Sequence, residues 1–189
     1  MNRLSPPMLR HRRLVLPLLA ALALSALVLG VSACGYSSDS KDVVEGEPVE
    51  LGELHFNVTF SRFLNPNDNE DSAYLVGQPP PPEGSTYFGV FFEVQNESEE
   101  PQTLPSTLMI TDAEDQEYEV LPSESIFALP FGGEVEPEEQ IPVLDSPPQQ
   151  GPIEGSVVLF ELPAEASEDR PLTLEIPGTG GPAEVKLDL

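Results

Sequence analysis

The chain has 189 residues, of which 33 are Asp or Glu and only 8 are Lys or Arg, so its formal net charge at pH 7 is −25. This charge repels the phosphates of nucleic acids, so no nucleic acid is expected among its partners. The chain has two histidines, one cysteine and no tryptophan, and it has no H-E-x-x-H or C-x-x-C zinc motif. Beyond residues 1–33 the only histidine that could serve as the base of a catalytic triad is His55.

Residues 1–33 have the layout of an export signal. The first thirteen positions carry four arginines and no acidic residue, and the run from Leu14 to Ala33 carries no charge. A basic start followed by an apolar run is typical of a signal peptide. Arg12 and Arg13 also loosely match a twin-arginine signal, but the strongly apolar run favours the general secretory route.

Cys34 is the only cysteine of the chain, and the small residues Ser32 and Ala33 stand directly before it. The segment resembles the bacterial lipobox, where signal peptidase II cuts and the cysteine becomes acylated. The alternatives are an uncleaved transmembrane anchor and a cysteine buried in a core. The lipobox interpretation predicts a lipoprotein whose acyl chains hold it to the cell membrane on the extracytoplasmic side.

Cleavage before Cys34 leaves four basic residues against all 33 acids, so the mature chain is even more acidic. Residues 34–50 are predicted to be a lipidated, flexible tether, because the segment GYSSDSKDVVEGEPVE is small, polar and acidic. Residues 51–189 are predicted to form one domain.

Alternating apolar and polar residues begin at Leu54 and continue in short segments to the end of the chain. The first segment places on one face Leu54, Phe56, Val58 and Phe60. The strongest segment, TYFGVFFEVQN, places on one face Phe88, Val90, Phe92 and Val94. A hairpin is predicted where Leu108 and Ile110 precede the acidic turn DAEDQ and Tyr118 and Val120 follow it.

Three later segments alternate in the same way, and their apolar positions are Val158, Phe160 and Leu162, then Leu172, Leu174 and Ile176, then Val185, Leu187 and Leu189. About seven short strands separated by proline-rich turns predict an all-β fold, an immunoglobulin-like antiparallel β-sandwich. Because the chain lacks tryptophan, an antibody-type domain with the Cys-Trp-Cys pattern is excluded.

Three segments carry a family resemblance: STYFGVFFEVQNESEEPQTL, LMITDAEDQEYEV and GSVVLFELPAEA. They resemble a family of bacterial lipoproteins, many from high-GC Gram-positive bacteria, whose telokin-like immunoglobulin-fold domain is of unknown function and is similar in shape to a secreted mycobacterial immunogenic antigen. The shared features are a strand that ends in Asn (Asn96), a hairpin from an acid to a tyrosine (Asp112 to Tyr118) and a late strand that ends in Phe160-Glu161-Leu162-Pro163. The hairpin departs from the pattern at Asp115 and Gln116, where a glycine is common. The resemblance implies no catalytic residues.

One loop suggests a metal. The segment NPNDNEDS brings together carboxylate and amide oxygens, which calcium prefers, from Asn65, Asn67, Asp68, Asn69 and Asp71. The glycine and distal glutamate of an EF-hand are missing in register, and a solvated loop is the alternative. No other cofactor is expected. The run QPPPPEG could present a polyproline helix to a partner, although a stiff spacer is the more common role.

These patterns predict a membrane-anchored extracytoplasmic lipoprotein that presents a non-catalytic immunoglobulin-like domain for binding, with an envelope or extracellular protein as its partner. The alternative is a calcium-stabilised or ligand-sensing accessory module of an envelope transport or signalling system. No coherent catalytic set is apparent in the sequence, so the chain is not expected to be an enzyme.

Overall fold

The structure, a computed structural model, describes residues 41–168 and 170–187. The predicted signal peptide, Cys34 and residues 34–40 of the predicted tether lie outside the described residues, as does Leu189 of the last predicted strand. No helix within the described residues is long and apolar enough to cross a membrane.

Nearly all regular elements of the described part of the chain are strands, many of them two to five residues long. In chain order its elements are β1 (Lys41–Val44), β2 (Val49–Leu51), β3 (Leu54–Leu64), α1 (Asp71–Tyr74), β4 (Ser85–Asn96), β5 (Gln102–Thr103), β6 (Met109–Thr111), β7 (Glu117–Glu119), β8 (Glu134–Val135), β9 (Gln140–Ile141), α2 (Pro147–Gln150), β10 (Ser156–Pro163), a 3-10 turn (Ala164–Ser167), β11 (Leu172–Ile176) and β12 (Ala183–Leu187).

Two larger sheets form the fold. The first sheet has the order β1-β12-β11-β6-β7, and the second has the order β10-β4-β3-β2, with β9 beside the end of β4. The pairs are antiparallel except for β1, which runs parallel to β12. Strands β5 and β8 form a separate small ribbon. The predicted all-β sandwich is therefore confirmed.

The main core lies between the two sheets. It takes side chains from the inner face of the second sheet, including Phe88, Val90, Phe92 and Val94 of β4, each at most 1% exposed. The first sheet contributes Ile110, Leu172, Leu174, Ile176 and Val185. These are positions that the period-two alternation predicts to be buried, because successive side chains of a strand point to opposite faces.

A second apolar cluster covers the outer face of the second sheet. Tyr87 and Phe91 point outward from β4, where they meet Tyr74 of α1 and Leu159 of β10. The Tyr74 ring packs edge-on against Phe91 at 5.1 Å, and its hydroxyl oxygen accepts a hydrogen bond from the backbone N–H of Ile153. Strand β4 is thus buried on both faces, and the long loop predicted after β3 is a packed cover.

Phe60 does not point into the main core as the alternation predicts, and its side chain is 42% exposed. A β-bulge between Val58 and Phe60 shifts the register of β3 against β4. Since a bulge adds one residue to one strand, the residues after it change face. Ser61 is buried in place of Phe60, whose ring lies 6.3 Å from Phe91 on the outer face.

The predicted tether over residues 34–50 is wrong for residues 41–50, because these residues form β1, a turn and most of β2. Val49 and Leu51 are each 5% exposed and belong to the main core, and β1 extends the first sheet beside β12. Gly46, at φ 85°, turns the chain between the two strands. The segment has enough apolar side chains for two short strands once a sheet edge is available to pair with.

Candidate binding surface around strand β9

Strand β9 lies where β10 leaves the edge of β4. Ser156 begins β10 opposite Phe92, and two residues further along β4 Ile141 of β9 pairs with Val94. Because both strands use the same edge of β4, the chain segments that lead into and out of β9 must pass over the side of the sandwich. A depression lies on each side of β9.

The first depression, called here the apolar groove, has a volume of about 310 Å³. Apolar residues along it are Ile126, Ala128, Pro130, Ile141, Pro142, Val143, Pro147 and Pro148. Ile126 is 70% exposed and Val143 is 55% exposed, and Leu144 beside them is 67% exposed. Large aliphatic side chains that gather at a surface depression are typical of an interaction site, whereas isolated ones are common on any surface.

An acidic segment, residues 134–139, borders the apolar groove. All four of its glutamates are exposed: Glu134, Glu136, Glu138 and Glu139. Glu134 and Glu139 line the groove itself. The sequence has no Lys or Arg between Arg62 and Arg170, so no basic side chain of this long stretch offsets these carboxylates. The groove therefore combines an apolar floor with a negative potential.

Asn96 holds the acidic segment against the end of β4. Its side chain is fully buried, and its Nδ2 amide donates to the backbone oxygens of Glu100 (2.8 Å), Val135 (3.0 Å) and Glu136 (3.1 Å). Its Oδ1 accepts from the backbone N–H and the hydroxyl of Ser98. The Asn that ends this strand in the resembled family thus acts here as a positioning residue for the groove.

Two residues beside the groove have a backbone conformation that is uncommon for side chains with a Cβ. Glu138 has φ 59° and Asp145 has φ 63°. Such conformations persist where the surrounding structure fixes them, and they are enriched at functional sites. Ser146 follows Asp145 and lines the groove, and its buried hydroxyl oxygen has no hydrogen-bond partner within the described residues.

The second depression, called here the polar cleft, has a volume of about 290 Å³ and is lined by polar side chains from β3, β4 and β9: His55, Asn57, Glu93, Gln95 and Gln140. His55 lies between two carboxylates, 3.5 Å from Glu97 and 4.0 Å from Glu50, and its side chain is 30% exposed. Gln140 and Ile141 line both depressions, so the polar cleft and the apolar groove form one surface around β9.

The residues predicted to bind calcium lie in one loop after β3, where several of their oxygens bind the loop itself. The carboxylate of Asp71 is 3% exposed and accepts from the backbone N–H of Asn65 (2.7 Å) and from the Arg62 guanidinium. The carboxylate of Asp68 accepts from the backbone N–H of Glu70 (2.8 Å), just before α1. Asn65 Oδ1 accepts from the backbone N–H of Asn67, and the backbone oxygen of Asn69 accepts from Ser72.

Among residues 41–168 and 170–187, no group of three or more His, Cys, Asp or Glu side chains is arranged to hold a metal ion. Arg62 takes the place next to Asp71 that a cation would need. Calcium binding by the Asn65–Asp71 loop stays a prediction, and the loop geometry gives it no support.

The hairpin that carries the family resemblance is closed by Asp112. Its carboxylate accepts from the backbone N–H groups of Glu114 (2.9 Å) and Gln116 (3.0 Å) and from the Tyr118 hydroxyl (2.8 Å). Burial by itself would raise the pKa of Asp112, but these hydrogen bonds outweigh it and lower that pKa. Asp115 has φ 61° and occupies the position where a glycine is common. The acid-to-tyrosine motif is therefore a structural device of the hairpin.

Solved structures of two bacterial proteins are similar to this fold. An uncharacterized β-sandwich protein from Clostridium difficile 630 matches with a TM-score of 0.50 and 17% identity, over 79% of this chain and 95% of that one. The yjhA protein from Bacillus subtilis matches with a TM-score of 0.51 and 15% identity, over 77% of this chain and 99% of that one. The chain is a β-sandwich protein. At these identities the likeness shows the fold alone.

No family model matches the sequence, and no curated protein matches it. The assignment of a function to the sandwich therefore depends on its own surface. Sequence patterns did not locate that surface, because the segment from Leu121 to Gln150 has no regular alternation. A usable signal was present, since the apolar runs SIFALPF and IPVL flank four closely spaced glutamates and contain no charge.

Proposed function

We propose that this protein is a lipoprotein, acylated at Cys34, that presents its β-sandwich on the extracytoplasmic side of the cell membrane as a non-catalytic binding module. The arginine-rich start, the uncharged run and the small residues before Cys34 support export and acylation. The observation that carries the binding role is the apolar groove with its border of glutamates, held on the edge of a sheet that is packed on both faces.

Binding without catalysis agrees with where the shifted pKa values lie among the described residues. Burial raises the pKa of Tyr74 and of Tyr87, and both belong to the second apolar cluster. The lowered pKa of Asp112 belongs to the hairpin. These three groups serve packing and turn closure, whereas catalytic groups with shifted pKa values are typically gathered in one cleft.

The short distance from Cys34 to β1 restricts where the domain can lie. Since a strand residue spans at most about 3.6 Å, the seven steps from Cys34 to Lys41 reach about 25 Å at most. Lys41 pairs with Ala183, at the end of the sandwich that also holds the turn between β11 and β12. For a protein anchored at Cys34, this keeps Lys41 within about 25 Å of the membrane surface.

The first test is the state of Cys34 in the cells that make the protein. Mass spectrometry of the C-terminally tagged protein should show an N-terminal peptide that begins at Cys34 and carries a diacylglyceryl group and an acyl chain. In the matched Cys34→Ala variant the signal peptide should stay uncleaved. An unmodified, internal Cys34 peptide from the wild-type protein would refute the anchor.

The second test concerns binding. Crosslinking of intact cells followed by purification through the tag should recover a reproducible envelope partner. The same purified protein should show no turnover in a panel of ester, peptide and glycoside substrates. A robust hydrolase activity that disappears on substitution of a single carboxylate would overturn the non-catalytic role.

A further inference from the structure

We infer that the apolar groove binds a basic polypeptide segment of a partner protein, with an aliphatic side chain in the groove and Lys or Arg side chains on the glutamates around it. This inference rests on the proposed binding function and names the chemistry of the partner.

The apolar part of the surface favours a side chain over a folded face. A volume of about 310 Å³ is at the lower end of the range for ligand pockets. Ile126 and Val143 stand on the rim with most of their surface exposed, so a bound aliphatic group would remove both from water. Removal of this apolar surface from water favours binding.

The negative charge of the groove favours a positively charged binding partner. Glu134 and Glu139 line the groove, and Glu136 and Glu138 extend the same acidic segment. A second copy of this chain would bring its own acidic segment and a net charge of −25, so electrostatic repulsion disfavours self-association there. An anionic ligand or lipid headgroup is disfavoured for the same reason, whereas a segment with Lys or Arg is attracted.

The polar cleft extends this recognition across β9. Glu93 lines the cleft, and Glu97 contacts His55 beside it, so carboxylates lie on both sides of the apolar groove. Side chains two residues apart in an extended segment are about 7 Å apart and point the same way, so a segment that crosses β9 would present alternate side chains to this surface.

The test uses the full-length protein in detergent and a phage-displayed library of random 12-residue peptides as the probe. Selected peptides are synthesised, and their affinity is measured by fluorescence anisotropy. The expected peptides combine one or two aliphatic residues with at least two Lys or Arg. An Ile126→Ser/Val143→Ser double variant, which removes the aliphatic surface and adds no charge, should bind them at least tenfold more weakly.

Two controls separate the apolar and the charged parts. Val76→Ser makes the same kind of change at an exposed valine (47%) in the loop after α1, and it should leave peptide affinity unchanged. Glu134→Gln/Glu139→Gln should weaken binding at least threefold and reduce its dependence on salt. The matched Glu83→Gln/Glu165→Gln pair, at the opposite end of the sandwich, should do neither.

Every outcome decides the inference. Selected peptides that are neutral or acidic, peptides that bind the double variant as well as the wild type, or no selected peptide at all would each overturn it. The in-cell crosslinking then separates the two proposals. If a partner is recovered equally with the wild type and the Ile126→Ser/Val143→Ser variant, the binding function stands and the role of the groove is refuted. If no partner is recovered with the wild type, the binding function itself is refuted.

Discussion

Asn96 offers a direct test of how the groove is held together. In Asn96→Ala the backbone oxygens of Val135, Glu136 and Glu100 each lose the donor that the amide supplies. A buried polar group without its partner costs about 1–3 kcal/mol, and water can reach the two partly buried oxygens, so the expected loss is about 3 kcal/mol. For a domain of this size that loss lowers the melting temperature by about 6–12 °C.

Asn96→Asp sharpens the test because it keeps the shape of the side chain. At pH 7 its second carboxylate oxygen would face three carbonyl oxygens in a site with no exposure, and the expected cost is at least that of the Ala variant. Desolvation and repulsion raise the pKa of such a carboxyl above the unfolded value of about 3.9. The neutral acid can donate one hydrogen bond, so the variant should regain stability as the pH falls through its raised folded pKa.

Urea unfolding of both variants at pH 7, 5 and 4 measures these effects, with Gln95→Ala as the control. Gln95 is the exposed neighbour of Asn96 on β4, and its substitution should change stability by less than about 0.5 kcal/mol. The denaturant dependence should stay the same in all variants, since the exposed area on unfolding does not change. An Asn96→Asp variant as stable as the wild type at pH 7, or one that gains nothing relative to the wild type towards pH 4, would refute the role assigned to Asn96.

Three further outcomes are expected. In Asp112→Asn the free energy of unfolding at pH 7 should fall by about 1–2 kcal/mol, because a hydrogen bond to a carboxylate is replaced by a neutral one. The difference from the wild type should shrink below about pH 4, since the stabilisation from a lowered pKa is lost as the carboxylate is protonated. Equal unfolding curves at pH 7 would contradict this. In Arg62→Met the free energy of unfolding, measured by thermal unfolding, should fall by about 2–3 kcal/mol, less than for a fully buried pair because Arg62 is a third exposed. The double variant Arg62→Met/Asp71→Asn should recover part of that loss. Additive losses from the two substitutions would contradict the ion pair. The protein should have the same melting curve in millimolar calcium and in a chelator, because Asp71 is already paired with Arg62. A rise of several degrees in the melting temperature with calcium would establish the calcium site that the sequence suggests.

The central strands β4 and β10 could be predicted from the sequence because they are long and rich in aliphatic and aromatic residues. Every position predicted to be inward on them is buried. Phe60 could not be assigned correctly, since the bulge that turns it outward depends on how β3 pairs with β4. The sequence also does not predict that Tyr87 and Phe91 are buried on the outer face of the second sheet, because the loop that covers them is polar and proline-rich.

The candidate site could not be predicted from periodicity. Its strands β8 and β9 have two residues each, which is too short for a pattern, and their positions come from contacts with the distant Asn96. The family resemblance identifies Asn96 as the residue that ends a strand, but it does not indicate which groups the Asn96 side chain binds. The Asn65–Asp71 loop differs from the groove because its composition suggests a metal site in the sequence. In the structure the carboxylates of Asp71 and Asp68 accept hydrogen bonds from the loop itself.

The parallel pairing of β1 with β12 has a mechanical consequence for an anchored protein. A pull between the membrane and a bound partner would enter the sandwich at Lys41, along the axis of β1. The backbone bonds that tie this strand to β12, from Lys41 N to Pro182 O (3.1 Å) through Glu45 N to Lys186 O (2.9 Å), run across that axis. Such a force would load these bonds together in shear instead of opening them one after another, so β1 would resist it as a unit.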